Sequence, residues 1–155
     1  MSSRTNLHAS ALRLGGRGLL VRGPSGSGKS SLALSILARS AAAGFEAALV
    51  ADDQVFVEPR GGRLYAQAPA VTAGLIEVRG VGILSRPHLA ETALDLVVDL
   101  VPRISVERLP EDHAVAISGI EIRRIGLPDR DPSFAADVLL TLVATPSFWT
   151  ATRTS

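Results

Sequence analysis

The sequence contains no cysteine and few aromatic residues, with four Phe, one Tyr and one Trp among 155 positions. The lack of cysteine excludes disulfides and zinc sites built on thiolates, and it is compatible with a reducing compartment, so we expect a cytoplasmic protein. No apolar run approaches the length of a membrane-spanning helix, and the first residues lack the apolar stretch of a signal peptide. We therefore expect neither export nor membrane insertion.

An excess of charge of either sign is also missing. Lys and Arg number 16 against 15 Asp and Glu, which gives a formal net charge of +1. Because binding to nucleic acid or to an anionic membrane needs a broad positive surface, we expect no nucleic acid and no membrane among the partners. Hydrophobic residues make up 46% of the chain, and its length predicts one compact domain over residues 1–155.

The most specific motif is a glycine- and serine-rich loop at residues 23–30, which we call the phosphate loop and which satisfies G-x-x-x-x-G-K-[ST]. It follows residues 18–21, which predict a strand, and precedes residues 31–43, whose helical spacing predicts a helix that ends at Gly44. Such a loop points backbone amides at phosphate oxygens, the helix N-terminus adds partial positive charge, and the lysine reaches the outer phosphates. The alternative is a chance Gly/Ser turn. The candidate nucleotide-binding residues are Gly23, Pro24, Ser25, Gly26, Ser27, Gly28, Lys29, Ser30 and Ser31.

The second half of such a site is predicted at the end of residues 47–51. This continuous apolar run is typical of a strand buried on both faces, and Asp52 and Asp53 follow it. Because Mg²⁺ between triphosphate oxygens needs a carboxylate nearby, Asp52 and the Ser30 hydroxyl are candidate magnesium ligands. Asp53 is then a candidate general base for an incoming hydroxyl. The alternative is that the two acids cap an exposed turn.

The other segments predict mostly strands, with one further helix. Two hairpins are expected, and residues 75–84, which contain two glycines, are not expected to be one plain strand or helix. The remaining helix starts at Asp131 and Pro132. The tail lacks periodicity, although Phe148 and Trp149 are candidates to dock on the body of the protein. The predicted segments are hairpins 7–14 with 18–21 and 55–58 with 64–67, strands 93–101, 104–109, 114–118 and 121–125, a turn at 110–112, helix 134–143 and tail 147–155.

The chain resembles the catalytic domain of HPr kinase/phosphorylase, which phosphorylates a serine of the phosphocarrier protein HPr and removes that phosphate again. The resemblance covers about residues 7–127. His8 precedes the phosphate loop by the family's interval, residues 49–53 (LVADD) are similar to the acidic strand end, and Ala68-Pro69 also matches. The most specific block is residues 75–83 (LIEVRGVGI), which are similar to the family's signature stretch.

The resemblance implies roles for individual residues. Lys29 and Ser30 would bind phosphate and Mg²⁺, and Asp52 and Glu77 would support the metal. Asp53 would exchange a proton with the target serine. The resemblance also implies an active-site histidine and two arginines that assist phosphate transfer, namely His8, Arg79 and Arg108. On the residues alone, His8 is equally a core or surface histidine. The residues alone favour Glu77 and Arg79 as a solvated pair on one strand face.

The implied fold is α/β, a P-loop NTPase-like domain with a mostly parallel central sheet, helices on its faces and added β-hairpins, assembled as a hexamer. The implied function is that of an ATP- and Mg²⁺-dependent protein serine kinase acting on HPr or a paralogue, with phosphorylase activity on phospho-HPr, in the regulation of carbohydrate metabolism. The alternatives are a small-molecule P-loop kinase and a regulatory ATP-binding module without turnover. The chain departs from the family pattern at Pro24, where the family has an acid, at residues 84–88, which lack a glycine-rich loop, and in an expected absence of the N-terminal domain.

Overall fold

The computed structural model describes residues 4–108 and 113–150. Twelve strands occur among these residues, in chain order: β1 Thr5–Leu7, β2 Ala9–Leu14, β3 Arg17–Arg22, β4 Ala47–Ala51, β5 Val55–Arg60, β6 Arg63–Gln67, β7 Leu75–Val78, β8 Gly82–Ser85, β9 Glu91–Ala93, β10 Leu96–Val101, β11 His113–Ile117 and β12 Ile120–Pro128. The same residues form α-helices α1 Lys29–Arg39, α2 Pro132–Val143 and α3 Pro146–Thr150, and short 3-10 helices at Ala70–Thr72 and Arg103–Ser105.

Six strands form a mixed central sheet in the order β11-β12-β10-β3-β2-β4. Only the pairs β3 with β10 and β10 with β12 are parallel; β2 is antiparallel to β3 and β4, and β11 is antiparallel to β12. The prediction of a mostly parallel sheet is therefore wrong. The reason is the tight turn at Gly15 and Gly16, both with positive φ (55° and 83°). This turn makes β2 and β3 antiparallel neighbours, so that β2 lies between β3 and β4.

The inserted strand preserves the direction of the strands around it. Because β2 is antiparallel to both β3 and β4, those two strands run the same way although they are not neighbours. β10 and β12 share this direction, so β3, β4, β10 and β12 end at one edge of the sheet. In open α/β sheets, ligands bind at the edge where the carboxyl ends of the strands meet.

The two faces of the central sheet are covered differently, which corrects the prediction of helices on its faces. Helices α1 and α2 pack on one face, in a core that includes Leu12, Leu32 and Leu139. The other face packs against a second, wholly antiparallel sheet in the order β1-β5-β6-β9 through a core that includes Leu20 and Val55. The predicted hairpin of β5 and β6 thus forms the centre of a second layer, because its alternating apolar residues are buried.

Two predicted strands are each divided between the sheets. Residues 7–14 break at His8 into β1 of the second sheet and β2 of the central sheet, and residues 93–101 break at Leu94 and Asp95 into β9 and β10.

Residues 75–84 form the separate hairpin of β7 and β8, as their glycines indicate. Helix α1 ends at Arg39, earlier than the prediction of residue 43.

The later segments contain one wrong prediction. In place of a strand at 104–109, the chain forms the 3-10 helix Arg103–Ser105, and Ile104 is 96% exposed, so no apolar face is buried there. Leu109 and the predicted turn at 110–112 lie outside the described residues. Strands β11 and β12 are confirmed, and so is α2, where the Asp131 carboxylate accepts a hydrogen bond from the Phe134 amide. None of the helices in the described part of the chain is long and apolar enough to span a membrane.

The start of the tail packs on the body of the protein. Residues 146–150 form α3, whereas no regular structure is predicted for the tail, and residues 151–155 lie outside the described part. The Trp149 indole donates to the Leu142 carbonyl over 2.8 Å, and the Arg17 guanidinium lies 4.6 Å from the centre of the Trp149 ring. Phe148 contacts the Trp149 ring edge-on with ring centres 4.9 Å apart.

A charge cluster joins the three parallel strands. Asp99 on β10 accepts hydrogen bonds from Arg22 on β3, at 2.7 and 2.9 Å, and from Arg124 on β12, at 2.8 Å. Burial acts to raise the pKa of the Asp99 carboxyl, but the hydrogen bonds from Arg22 and Arg124 outweigh it, so this pKa lies below its ordinary value. Arg22 is the last residue before the phosphate loop, so the cluster fixes the strand from which that loop departs.

Asp99→Asn keeps the shape of the side chain and removes the charge that both arginines contact. We expect the free energy of unfolding at pH 7 to fall by about 2 kcal/mol, because the charged hydrogen bonds to both arginines weaken together. The wild-type contribution is complete above the unfolded carboxyl pKa of about 3.9 and is lost as the pH falls through the lower folded pKa. Urea unfolding at several pH values should therefore show the difference between the two proteins shrinking from about pH 5 downwards.

The matched control is Asp137→Asn, which removes an exposed partner of Arg39 and should change the unfolding free energy by less than about 0.5 kcal/mol. A difference between Asp99→Asn and wild type that stayed constant down to acid pH would contradict the assignment.

Candidate active site

The phosphate loop connects β3 to α1 at the carboxyl edge of the central sheet. Gly26 and Gly28 have positive φ (81° and 102°), a conformation that residues with a Cβ atom rarely adopt. A Cβ atom on Gly23 would lie 2.5 Å from the Ser27 Oγ, so the start of the loop also requires glycine. No side chain in the described part of the chain caps the first turn of α1. Its amides are therefore available to an anion.

Lys29 is the first residue of α1 and lies almost wholly inside the protein, with 6% of its surface exposed. Its ammonium donates to the carbonyl oxygens of Gly23 at 2.8 Å and Pro24 at 3.2 Å, which holds the loop curved around it. Burial lowers the pKa of Lys29 below its ordinary value, against the opposing attraction of the Asp53 and Asp52 carboxylates. A positive charge that is largely shielded from solvent attracts a phosphate more strongly than it would in water.

Asp52 is the buried centre of the polar contacts beside this loop. Its Oδ1 accepts hydrogen bonds from the Ser30 hydroxyl at 2.7 Å and the Ser10 hydroxyl at 2.9 Å. Its Oδ2 accepts a longer bond, 3.3 Å, from the Glu77 amide. One carboxylate thus connects α1, the end of β4, β2 and β7. The sequence predicts Asp52 and Ser30 as magnesium ligands, and in the structure their side chains are hydrogen-bonded to each other.

Asp53 has a different environment from its neighbour. Its side chain is 63% exposed, and its Oδ1 lies 2.6 Å from Nε2 of His8. Asp53 has a φ of 68°, a left-handed conformation that is costly for a residue other than glycine and persists only where the surroundings enforce it. The Ser10 hydroxyl accepts a hydrogen bond from the Asp53 amide at 3.2 Å, which helps to hold this backbone. The two adjacent acids therefore point to different partners.

A cavity of about 340 Å³ lies in front of these groups. It is lined by Ser25, Gly26, Gly28, Lys29, Ser30, Ser31, Asp53, Glu77 and Arg79. Glu77 lies on β7 and Arg79 in the turn that follows it, so the hairpin of β7 and β8 supplies part of the cavity wall. His8 and Asp52 do not line the cavity but hydrogen-bond to residues that do.

Arg108 differs from the other predicted site residues. It is exposed, follows the 3-10 helix Arg103–Ser105, and is not among the residues that line the cavity. Sequence reasoning also missed one residue that the site uses, Ser10, which is fully buried and contacts both acids. The only signal for Ser10 is a small polar residue in an apolar strand, which is too common to indicate a site.

The oxygen atoms beside the cavity suit Mg²⁺. This ion takes oxygen ligands and keeps several waters, and in nucleotide sites one or two protein oxygens bind it together with phosphate oxygens. The Ser30 hydroxyl and the Asp52 carboxylate are such a pair of donors. No cluster of three or more His, Cys, Asp or Glu side chains that would hold a metal unaided occurs in residues 4–108 and 113–150. The site thus fits a Mg²⁺ ion that is shared with a nucleotide.

Residues 1–145 match the family model described as HPr Serine kinase C-terminal domain. The HPr kinase/phosphorylase of Clostridium tetani is 32% identical over 145 residues, which cover 84% of this chain and 44% of that protein. The protein of the same name from Clostridium acetobutylicum is 32% identical over 141 residues, with the same coverage. The chain therefore spans less than half the length of these relatives.

A solved structure shares the fold. It is described as the structure of the Hpr(Ser) kinase/phosphatase from Coxiella burnetii and superimposes with a TM-score of 0.78 at 25% identity. The match covers 92% of this chain and 90% of that one. The mixed α/β arrangement described above is therefore that of a known phosphate-transfer protein.

Ser10→Ala removes the hydroxyl that bonds Asp52 and the Asp53 amide. We expect the free energy of unfolding to fall by about 1–3 kcal/mol, because both groups lose a partner. We also expect the gain in nucleotide affinity that Mg²⁺ provides to fall by about tenfold, since residues that orient a metal ligand have effects of this size. Urea unfolding, and calorimetric titration with ATP in Mg²⁺ or in EDTA, measure the two effects.

Ser40→Ala is the matched control, because Ser40 is also buried but lies at the other end of α1 with only a long bond to the Leu37 carbonyl. An equal loss of magnesium dependence in both variants would show that Ser10 has no specific role in the site.

Proposed function

The chain belongs to the HPr Serine kinase C-terminal domain family, and we propose that it is an ATP- and Mg²⁺-dependent protein kinase that phosphorylates a serine of HPr or of a paralogous phosphocarrier protein. The observation that carries the proposal is the convergence of Lys29, Ser30 and Asp53 on one cavity, beside the bonded pair of Asp52 and Ser30. The proposal includes cytoplasmic location and a role in regulating carbohydrate metabolism.

The phosphate loop binds the triphosphate. Backbone amides from Gly26 to Ser31 and the Lys29 ammonium contact the phosphate oxygens, as in other loops of this sequence pattern. Ser30 and Asp52 would hold Mg²⁺, and Glu77, which lines the same cavity, would support it. When bound, the ion neutralises charge on the outer phosphates. This chain's part is to hold those donors in place.

Asp53 accepts the proton of the target serine. The serine oxygen attacks the terminal phosphorus, the bond from that phosphorus to the leaving ADP oxygen breaks, and the hydroxyl proton passes to the carboxylate. His8 engages Oδ1 at 2.6 Å, so Oδ2 is the oxygen available to the serine. His8 thus orients the carboxylate, and Arg79 at the cavity wall balances negative charge on the transferred phosphate. The role of Arg108 rests on the family resemblance alone.

A protein acceptor is favoured over a small molecule by the surface next to the cavity. The hairpin that carries Glu77 and Arg79 also exposes Val81 and Ile83, at 69% and 67%. Ile83 lies directly across from Glu77 in the strand pairing. Exposed apolar groups beside an open charged cavity suit the docking of another protein. By resemblance to the family, the proposal extends to a hexamer and to the reverse reaction, in which inorganic phosphate attacks phosphoserine and gives pyrophosphate.

Lys29→Ala should weaken binding of Mg-ATP by about 10- to 100-fold, because it removes a charge-assisted contact with the outer phosphates. Isothermal titration with the purified protein measures this affinity. Arg13→Ala, which removes an exposed arginine towards the other end of β2, is the control and should bind ATP as wild type does. Unchanged affinity in Lys29→Ala would refute the phosphate-loop assignment.

Asp53→Asn should lower the rate of transfer to HPr by about 10²- to 10⁴-fold, because the amide cannot accept the serine proton. The affinity for Mg-ATP should stay within about threefold of wild type, since this carboxylate is not the proposed metal ligand. The assay combines labelled ATP with a panel of purified phosphocarrier proteins and identifies the modified serine by mass spectrometry.

An Asp53→Asn enzyme that worked at the normal rate would rule out the general-base role. Tight ATP binding by the wild type without transfer to any carrier would instead identify a regulatory ATP-binding module.

A further inference from the structure

Arg130 lies directly beside the phosphate loop, on the flank away from the acids. Its amide donates to the Ser27 carbonyl at 2.9 Å, and a Cβ atom on Gly28 would lie 3.7 Å from the Arg130 nitrogen. In the central sheet, β4 and its acids lie on one side of β3, whereas β12, which leads to Arg130, lies on the other. Arg130 does not line the cavity. It therefore borders the loop from the side that the proposed mechanism does not use.

The backbone at Arg130 is held in an unfavourable conformation. Its φ is 54°, in the left-handed region that favours glycine. The neighbouring residues fix this turn: the Asp129 amide donates to the Val101 carbonyl at 2.8 Å, and Asp131 caps α2. Glycine would adopt this conformation without strain, whereas an arginine here lowers the stability of the folded protein. Such outliers gather at sites of function.

The guanidinium of Arg130 is exposed, and it has no hydrogen bond or ion pair in the part of the chain that the structure describes. Both residues adjacent to Arg130 in the sequence are acids. Asp131 is already engaged by Arg103 at 2.9 Å and by the Phe134 amide, and Asp129 forms no ion pair with Arg130 in the described part of the chain. The Arg130 guanidinium is thus exposed beside the loop without a direct ion-pair partner among the described residues. It is available for a ligand.

We infer that Arg130 binds the nucleoside end of the nucleotide by stacking its guanidinium on the base. The inference rests on the proposed function, in which Ser30 and Asp52 place Mg²⁺ and the outer phosphates on the acid side. The inner phosphate, sugar and base then leave the loop on the opposite flank, within reach of a side chain as long as arginine. Guanidinium planes stack on aromatic faces, and base stacking of this kind tolerates any base.

Arg130 then distinguishes a nucleotide from a bare phosphate chain and leaves the choice between purines open. Arg130→Gly should weaken Mg-ATP and Mg-GTP alike, by about 5- to 100-fold, and should leave the affinity for Mg-tripolyphosphate within about twofold of wild type. Glycine suits the left-handed backbone, so thermal unfolding should show no loss of stability that would explain the change. Arg130→Lys keeps the charge without the plane and should recover only a small part of the affinity.

Isothermal titration of wild type, Arg130→Gly, Arg130→Lys and the control Arg13→Ala with the three ligands tests the inference. Equal weakening of ATP and tripolyphosphate in Arg130→Gly would show contact with phosphate and overturn it. So would wild-type affinity for ATP in either Arg130 variant. If wild type binds neither ATP nor tripolyphosphate, the proposed function itself fails and the inference fails with it. If wild type binds both ligands and Arg130→Gly binds ATP as tightly as wild type does, the inference fails while the proposed function stands.

Discussion

The hydrogen bonds that converge on the Asp52 carboxylate are the interaction on which the rest of the site depends. The hydroxyls of Ser30 and Ser10 meet at one oxygen, and the Glu77 amide reaches the other. These contacts connect the start of α1, the inserted strand β2 and the wall of the cavity. A buried carboxylate without such partners would be strongly disfavoured, so the charge and the surrounding elements hold each other in place.

The antiparallel insertion of β2 has a direct consequence for the proposed chemistry. In a sheet of parallel neighbours, only the carboxyl ends of strands meet at the ligand edge. Because β2 runs the other way, its first residues lie at the edge where β3 and β4 end. His8 and Ser10 reach Asp53 and Asp52 for this reason. The departure from a parallel sheet thus supplies two of the site's polar contacts.

Asp52 and Asp53 illustrate how adjacent residues of one type come to differ. Asp52 is buried against two serines and suits a metal, whereas Asp53, one residue later, turns through a left-handed backbone to an exposed position beside His8. The phosphate loop lies between these acids on one flank and Arg130 on the other. An elongated ligand with a charged end and an aromatic end matches that order.

The sequence by itself determined the phosphate loop, its helix and the acidic strand end, because each depends on local constraints: glycines that accept positive φ, helical spacing after Lys29, and an apolar run before Asp52. It also determined the β5 and β6 hairpin and the capped start of α2. The order of the strands, the second sheet, the contacts of Ser10 with the two acids and the position of Arg130 beside the loop were decided only by the tertiary structure. So was the absence of Arg108 from the residues that line the cavity. The physical reason is that these features arise between residues far apart in the chain: Ser10 is 42 positions from Asp52, and their hydrogen bond exists only because β2 is inserted beside β4.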